Sequence, residues 1–142
     1  PKQYLEIDGR PLLAHALDAL LSHPRIDGAV VALADGDALW PGWAQRHGKP
    51  VLTCTGGASR AASVRAALDA LPRHVRDDAL VLVHDAARPH LHAGDIERLI
   101  DAARACDDGA LLAAPVRDTL KRAGGAAQPR VSATEPREAL WR

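Results

Sequence analysis

The sequence of 142 residues contains no methionine and no phenylalanine, and aromatic residues make up only 3% of it. A core must therefore consist of leucine, valine, isoleucine and alanine, which suits helices packed closely on a sheet. Basic and acidic residues are equal in number, so a globally basic surface for nucleic acid is not expected. No apolar run approaches the roughly 20 residues that a membrane-spanning helix needs, and no signal peptide is found. We therefore expect a cytoplasmic protein without nucleic-acid or membrane partners.

Cysteine is also scarce, and the histidines do not indicate a metal site. Cys54 and Cys106 are too few and too far apart for a disulfide network or a zinc site, and we expect both to be buried thiols. His90 and His92 have no third ligand nearby in the sequence, so no metal site made by the protein alone is predicted. Since the chain starts at Pro1 without an initiator methionine and ends abruptly at Arg142, we expect that residues are missing at both ends.

The spacing of apolar residues predicts the helices and strands. Helical spacing is found in three segments, residues 11–21, 59–71 and 94–105. Continuous apolar runs of strand length are found in four segments, residues 28–34, 51–55, 80–84 and 109–116. Runs of this kind are typical of strands buried on both faces. With right-handed crossovers, the order of elements predicts an α/β fold with a doubly wound, mostly parallel sheet.

Residues 121–137 interrupt this pattern with a glycine pair, two prolines and short polar pieces. The segment is long for a structureless connection inside a compact domain. Two interpretations stay open. The segment is either a disordered loop or a projecting β-hairpin arm that packs on a partner.

The segment that follows the predicted strand 80–84 is the first candidate site. An apolar run ends abruptly in Asp85, two alanines, Arg88 and Pro89. Ligands bind beyond the carboxyl ends of strands in open α/β sheets, which favours a functional site here. A capped strand end with a surface ion pair is an equally good interpretation.

The second candidate site is the Gly56-Gly57 pair between a predicted strand and a predicted helix. Glycine lets the backbone approach a ligand closely, and a helix N-terminus offers free N–H groups. Ser63 lies on the first turns of that helix. The alternative is a plain strand-to-helix turn with Ser59 as the N-cap, because the segment is neither a Walker loop nor a Gly-x-Gly-x-x-Gly fingerprint.

Two further segments are weak signals when taken alone. Lys2 follows Pro1, so we expect it to lie outside a helix, where it either reaches into a cleft or is a solvated terminal lysine. Residues 118–122 follow the predicted strand 109–116. They therefore lie at the ligand edge of the sheet or form a solvated strand exit.

Four motifs occur together, in the order Pro-Lys-Gln-Tyr-Leu, Gly-Gly-x-x-Arg-x-x-Ser-Val, Val-His-Asp-Ala-Ala-Arg-Pro and Ala-Pro-Val-Arg-Asp-Thr-Leu-Lys-Arg. In this combination the whole chain resembles the bacterial 2-C-methyl-D-erythritol 4-phosphate cytidylyltransferases of the non-mevalonate isoprenoid pathway. The resemblance implies a Rossmann-like nucleotidyltransferase fold and cytidylyl transfer from CTP to that polyol phosphate, with release of pyrophosphate. It also implies that residues 1–142 are one incomplete domain, without the family's N-terminal glycine-rich loop and C-terminal portion, and that residues 121–137 are a projecting arm.

The resemblance assigns roles to individual residues. Lys2 matches the catalytic lysine that stabilises charge on the α-phosphate. The positions that bind the nucleotide are matched by Gly56, Gly57, Arg60, Ser63, Asp85 and Ala86. The positions that bind the polyol phosphate are matched by Asp85, Arg88, Thr119 and Arg137. The last two match family residues on the arm, which in family dimers reach into the neighbouring subunit's site.

The resemblance further implies Mg²⁺, held mainly by the CTP phosphates, and a homodimer formed by exchange of arms. Two positions depart from the family pattern, since Ala58 and Pro136 stand where acidic residues are usual. Two other functions stay open. One is a ribitol-5-phosphate cytidylyltransferase, although Ala86-Ala87 favours the erythritol enzyme. The other is a non-catalytic fragment that only binds or dimerises.

Overall fold

The structure is a computed structural model that describes residues 1–125 and 129–142. Its elements in chain order are a 3₁₀ turn (Lys2–Tyr4), β1 (Glu6–Ile7), β2 (Arg10–Pro11), α1 (Leu12–Leu21), β3 (Ala29–Leu33), β4 (Gln45–Arg46), β5 (Lys49–Thr55), α2 (Arg60–Asp69), α3 (Ala93–Arg104), β6 (Lys121–Gly124) and β7 (Arg130–Thr134). The predicted helices are present as α1, α2 and α3, and the first two predicted strands are β3 and β5. None of the helices in the two described ranges is long and apolar enough to cross a membrane.

Helix α1 provides the centre of the core. Its leucines at positions 13, 17 and 21 recur every four residues, so they lie on one face of the helix. Together with Val51 of β5 they form a buried cluster. Full burial of one such side chain stabilises the fold by about 1.5–3 kcal/mol. The repeated spacing is thus both the reason that α1 forms and the reason that it packs on the sheet.

The central sheet has the order β3-β5-β4. β3 runs parallel to β5, with Ala29 opposite Val51 and Leu33 opposite Thr55, whereas β4 is antiparallel to β5. The sheet is therefore mixed, and β4 was not predicted. Because β5 lies between the other two strands, one edge of β3 has no strand partner in the described part of the chain.

Two of the predicted strands are wrong for the described residues. Residues 80–84 pair with no strand there, and residues 109–116 have a single bridge, between Pro115 and Trp141. Their side chains are accordingly not buried on both faces, since Val83 is 53% exposed and Leu111 is 91% exposed. The physical reason is the missing neighbour. Residues 80–84 and β3 line the same cavity, and no strand of residues 1–125 or 129–142 lies between them to complete a ladder.

Helix α3 is attached to the region that follows α1. It buries Ile96 and Ile100, as the apolar spacing predicts. His23 is itself buried, and its Nε2 lies 3.2 Å from Oε1 of Glu97 on α3. The Nδ1 of the same ring accepts a hydrogen bond from the backbone N–H of Arg25 at 3.2 Å. A proton on Nε2 therefore satisfies both contacts of the neutral ring.

Strands β6 and β7 form a hairpin within residues 121–137, the segment for which the sequence allowed either a disordered loop or a projecting arm. Lys121 stands opposite Thr134 and Gly124 opposite Arg130, and every residue of both strands is exposed. Residues 126–128 of the predicted arm lie outside the described residues.

The prediction for the cysteines is wrong in part, since Cys106 is exposed after the end of α3 while Cys54 is half-buried in β5.

Candidate functional site

Asp85 lies between two arginines. Its Oδ1 accepts a hydrogen bond from Nη2 of Arg60 at 2.9 Å, and its Oδ2 lies 2.9 Å from Nε of Arg88. The backbone N–H of Arg88 donates to the carbonyl of Asp85 at 3.0 Å and closes the turn. The hydrogen bond from Arg60 lowers the pKa of Asp85 against the opposing effect of partial burial. The ion-pair interpretation is therefore present in the structure, and the pair joins α2 to the candidate site.

Gly56 and Gly57 are packed directly against the start of α2. The Oγ of Ser59 caps the helix by accepting from the N–H of Ala62 at 3.1 Å. The Oγ of Ser63 accepts from the N–H of Gly57 at 3.1 Å and donates to the carbonyl of Ser59 at 3.0 Å. A Cβ on Gly57 would lie 2.4 Å from the Cβ of Ala62. Close contact with the helix therefore accounts for this glycine, and the N-cap alternative describes the turn correctly.

Lys2 begins a 3₁₀ turn, so the expectation that it lies outside helical structure is wrong, because proline disfavours helical backbone for the residue before it and not for the residue after it. The N–H of Tyr4 donates to the carbonyl of Pro1, and the N–H of Leu5 donates to the carbonyl of Lys2, both at 3.1 Å. The ring of Tyr4 packs on the core cluster, and its hydroxyl donates to Oδ2 of Asp37 at 2.8 Å. The Lys2 side chain is exposed at the surface end of this turn.

A cavity of about 1270 Å³ lies between β3 and residues 80–88. It is lined by six of the predicted site residues, namely Lys2, Arg60, Ser63, Asp85, Ala86 and Arg88. Gly57 contacts this lining through the hydroxyl of Ser63. The walls are otherwise largely apolar, and lysine and arginine outnumber aspartate and glutamate among the lining residues. The cations Lys2, Arg60 and Arg88 suit an anionic ligand, whereas the apolar part of the lining comes from α1, α2, β3 and residues 80–83.

Thr119 and Arg137 lie elsewhere in the single chain. They line a second cavity, of about 330 Å³, beside the end of β7. The guanidinium of Arg137 donates to the carbonyl of Arg117. The structure thus brings most of the predicted site residues to one cavity and places these two at another.

The whole chain matches a known family. The family model for 2-C-methyl-D-erythritol 4-phosphate cytidylyltransferase (IspD) covers residues 1–142. The chain belongs to this family. It is 61% identical over 142 residues to the cytidylyltransferase of that name from Stenotrophomonas maltophilia strain R551-3 and 60% identical to that from Xanthomonas campestris pv. campestris strain 8004. The family predicted from four short motifs is therefore confirmed, and its members are nucleotidyltransferases.

Solved structures of the cytidylyltransferase family have the same fold. A crystal structure of 4-diphosphocytidyl-2C-methyl-D-erythritol synthase matches with a TM-score of 0.84 at 35% identity and covers 100% of this chain and 67% of that chain. The cytidylyltransferase of Francisella tularensis matches with a TM-score of 0.79 at 28% identity and covers 99% and 62%. The predicted α/β Rossmann-like class is confirmed, although two predicted strands form no ladder here.

The matched region is only part of the related cytidylyltransferases. The chain spans 60% of the length of the Stenotrophomonas protein and 53% of the Xanthomonas protein. Family membership is thus established for all 142 residues of this chain, whereas the relatives contain further sequence.

The contact between Tyr4 and Asp37 was missed in the sequence. The two residues are 33 positions apart, and no motif links them. The available signal was that Tyr4 is the single tyrosine of the chain and lies two residues after the predicted catalytic lysine. A long-range side-chain hydrogen bond of this kind becomes visible only in the folded chain.

Proposed function

We propose that this protein transfers the cytidylyl group of CTP to 2-C-methyl-D-erythritol 4-phosphate, giving 4-diphosphocytidyl-2-C-methyl-D-erythritol and pyrophosphate. Family membership supports this reaction. The observation that carries the proposal is the position of Lys2, Arg60 and Arg88 around one cavity. Two polyanions repel each other, and an excess of cations at the cavity lowers the cost of their approach.

In the proposed reaction, an oxygen of the methylerythritol phosphate attacks the α-phosphorus of CTP in line. A new P–O bond forms as the bond from the α-phosphorus to the bridging oxygen breaks. Pyrophosphate leaves with that electron pair. Because the attacking phosphate is already ionised near neutral pH, no general base is required. The protein therefore acts by positioning and by neutralising charge.

The residue roles follow from charge and position. Lys2 stabilises the charge that develops on the α-phosphate, and Arg137 supplies positive charge from the arm. Asp85 is ionised, so it accepts hydrogen bonds from substrate hydroxyls, and Arg88 orders the turn that holds it. The nucleotide-binding group is Gly56, Gly57, Arg60, Ser63, Asp85 and Ala86.

We further propose a homodimer in which residues 121–137 act as the exchanged arm. The exposure of β6 and β7 supports this assembly, since Val131 is 65% exposed in the single chain. The separate position of Thr119 and Arg137 supports it as well. In the dimer these two side chains would contact the polyol phosphate bound to the neighbouring subunit.

The donor atoms fit Mg²⁺ held mainly by the nucleotide. The two described ranges contain no group of three or more His, Cys, Asp or Glu residues that could hold a metal ion. Asp85 offers carboxylate oxygens at the cavity, although two arginines already contact them. Mg²⁺ commonly binds through one or two carboxylates together with substrate phosphates, and when bound it neutralises charge on the triphosphate.

We further propose that the reaction takes place in the cytoplasm, since both substrates are water-soluble phosphate esters.

The test is pyrophosphate release from CTP and Mg²⁺ in the presence of either polyol phosphate. We expect a higher kcat/KM with 2-C-methyl-D-erythritol 4-phosphate than with ribitol 5-phosphate. Lys2→Ala should lower kcat by about 10²-fold, which is typical for the loss of one electrostatic group at the reacting centre.

Lys49→Ala is the matched control, because Lys49 lines neither of the two cavities and donates to the carbonyl of His23. Its kcat should stay close to that of the wild type. Preference for ribitol phosphate would replace the proposed substrate. Absence of transfer to both acceptors would support the non-catalytic alternative and end the proposal for this chain.

A further inference from the structure

Asp37 is fixed at both of its carboxylate oxygens. Oδ2 accepts the hydroxyl hydrogen of Tyr4 at 2.8 Å, and Oδ1 accepts the N–H of Leu39 at 3.0 Å. The N–H of Asp37 itself donates to the carbonyl of Ala34 at 3.2 Å. The carboxylate is therefore held in one place in the turn that follows β3.

Tyr4 connects this carboxylate to the turn that carries Lys2. Its ring is half-buried against the core cluster, so the side chain is anchored by apolar contact and by a hydrogen bond at its tip. Two backbone hydrogen bonds close the turn around it, and the N–H of Leu12 donates to the carbonyl of Leu5 at 2.9 Å. The backbone of Lys2 is thus fixed from its C-terminal side, whereas its side chain is exposed at the cavity.

We infer that Tyr4 and Asp37 are positioning residues that hold the Lys2 turn at the cavity, through the hydrogen bond between their side chains. The inference rests on the proposed catalytic role of Lys2. A flexible lysine loses effectiveness when its backbone moves, because misplacement by about 1 Å can lower a rate by 10²-fold. Holding the turn removes this loss without any contact between Tyr4 and the substrate.

The protonation state of Tyr4 agrees with this role. Burial, the hydrogen bond to Asp37 and the negative charge of that carboxylate together raise the pKa of Tyr4 to about 12. The hydroxyl therefore remains a hydrogen-bond donor at all pH values at which the substrates would be assayed. Asp37→Asn removes the negative charge but leaves an oxygen that can accept the same hydrogen bond.

The first experiment is a double-mutant cycle on turnover of CTP and 2-C-methyl-D-erythritol 4-phosphate. Tyr4→Phe should lower kcat by about tenfold and leave the KM for CTP within about twofold, since the substrate contacts are unchanged. In the Lys2→Ala background, Tyr4→Phe should cause no further loss. An equal loss in both backgrounds would show that Tyr4 acts independently of Lys2 and would overturn the inference.

The second experiment does not depend on activity. We expect Tyr4→Phe to raise amide hydrogen exchange at residues 4 and 5 by about tenfold, because these two amides form the hydrogen bonds of the turn and the turn then opens more often. Asp69→Asn is the control, since Asp69 forms an exposed ion pair with Arg65 on α2 at 2.9 Å. Unchanged exchange in Tyr4→Phe would overturn the inference. If the wild type transfers nothing, the proposed function fails, and this measurement still decides whether the turn is held.

A spectroscopic titration gives a third, independent result. Tyr4 is the only tyrosine, so tyrosinate absorbance reports its ionisation alone. Asp37→Ala should lower the pKa of Tyr4 from about 12, because it removes both the hydrogen bond and the carboxylate charge while the burial of Tyr4 remains, and Asp37→Asn should lower it less. An unchanged titration in Asp37→Ala would show that the two side chains are not in contact in solution and would also overturn the inference.

Discussion

Two apolar runs of similar composition differ in what they become. Residues 28–34 contain β3, which pairs in parallel with β5 along its full length. Residues 80–84 are equally apolar, yet they have no strand partner among residues 1–125 and 129–142, and Val83 is half exposed. An apolar run of this length is therefore able to form a strand, but a hydrogen-bonded ladder forms only where a neighbouring strand lies beside it.

The same contrast divides the chain more broadly. The region up to α2 contains α1, the paired sheet and the buried cluster around Leu21. The region after α2 buries apolar side chains mainly on α3 and leaves Leu111 and Trp141 exposed. Stability should therefore depend far more on the first region than on the second.

The largest expected effect tests this division directly. Leu21 is fully buried, so Leu21→Ala should lower the free energy of unfolding by about 3 kcal/mol. Leu111→Ala should change it by less than about 0.5 kcal/mol, because that side chain is exposed. Urea denaturation followed by tryptophan fluorescence measures both values. Similar losses in the two variants would show that residues 109–116 are buried in solution.

Replacement of two glycines by alanine should change the free energy of unfolding by intermediate amounts and in opposite directions. Gly57→Ala should cost about 1–3 kcal/mol, because the new Cβ would collide with Ala62. At Gly94, in the first turn of α3, the nearest atom to a new Cβ is the flexible Nη1 of Arg98 at 3.6 Å. Gly94→Ala should therefore stabilise the protein, by at most about 1 kcal/mol. Thermal unfolding measures both, and a destabilised Gly94→Ala variant would contradict the open space at α3.

The smallest expected effect is a pH dependence that again separates the regions. Partial burial opposes the charged form of Asp18 on α1, but hydrogen bonds from Arg46 and Arg10 outweigh it and lower its pKa below 3.8. The resulting stabilisation is present above the unfolded-state pKa and is lost as the pH falls through the folded-state value. Asp18→Asn should therefore flatten the fall in melting temperature at acid pH.

The control for that measurement lies on the arm. Arg122 also lowers the pKa of Glu135, but Arg122 is itself exposed and is the one cation that pairs with Glu135 among the described residues. Asp18, whose side chain is about equally accessible, contacts Arg10, Arg46 and His47. Glu135→Gln should leave the acid limb of the stability curve nearly unchanged. An equal change in the two variants would mean that the arm is as tightly ordered as α1.

The parts of the fold that the sequence predicts are those whose signal lies within one element. The leucine spacing of α1 and the apolar runs of β3 and β5 are examples. The short hairpins were missed for two different reasons. Asp8 and Gly9 both have positive φ, and Asp-Gly is a strong hairpin signal that was available between β1 and β2. His47-Gly48 has the same geometry before β5, but histidine is not a residue that predicts it.

The candidate site shows the same limit. Motifs and their order were enough to select Lys2, Ser63 and Asp85, and the structure brings them to one cavity. The long-range contact of Tyr4 with Asp37 could not be predicted, because it depends on how the turn after β3 meets the start of the chain. The position of Arg137 beside a different cavity depends likewise on how the arm folds.

One edge of β3 has no strand partner among the described residues, and this affects how substitutions around the large cavity are interpreted. Ala29 to Ala32 line it with small or branched side chains, and the polar groups that this strand offers there are its amides and carbonyls. Side-chain replacement leaves such main-chain donors and acceptors in place. A variant in which every lysine and arginine of the lining is replaced would therefore still offer hydrogen-bonding groups to a ligand. Proline or an ester linkage in the backbone would remove the N–H donors, whereas the carbonyl acceptors would remain.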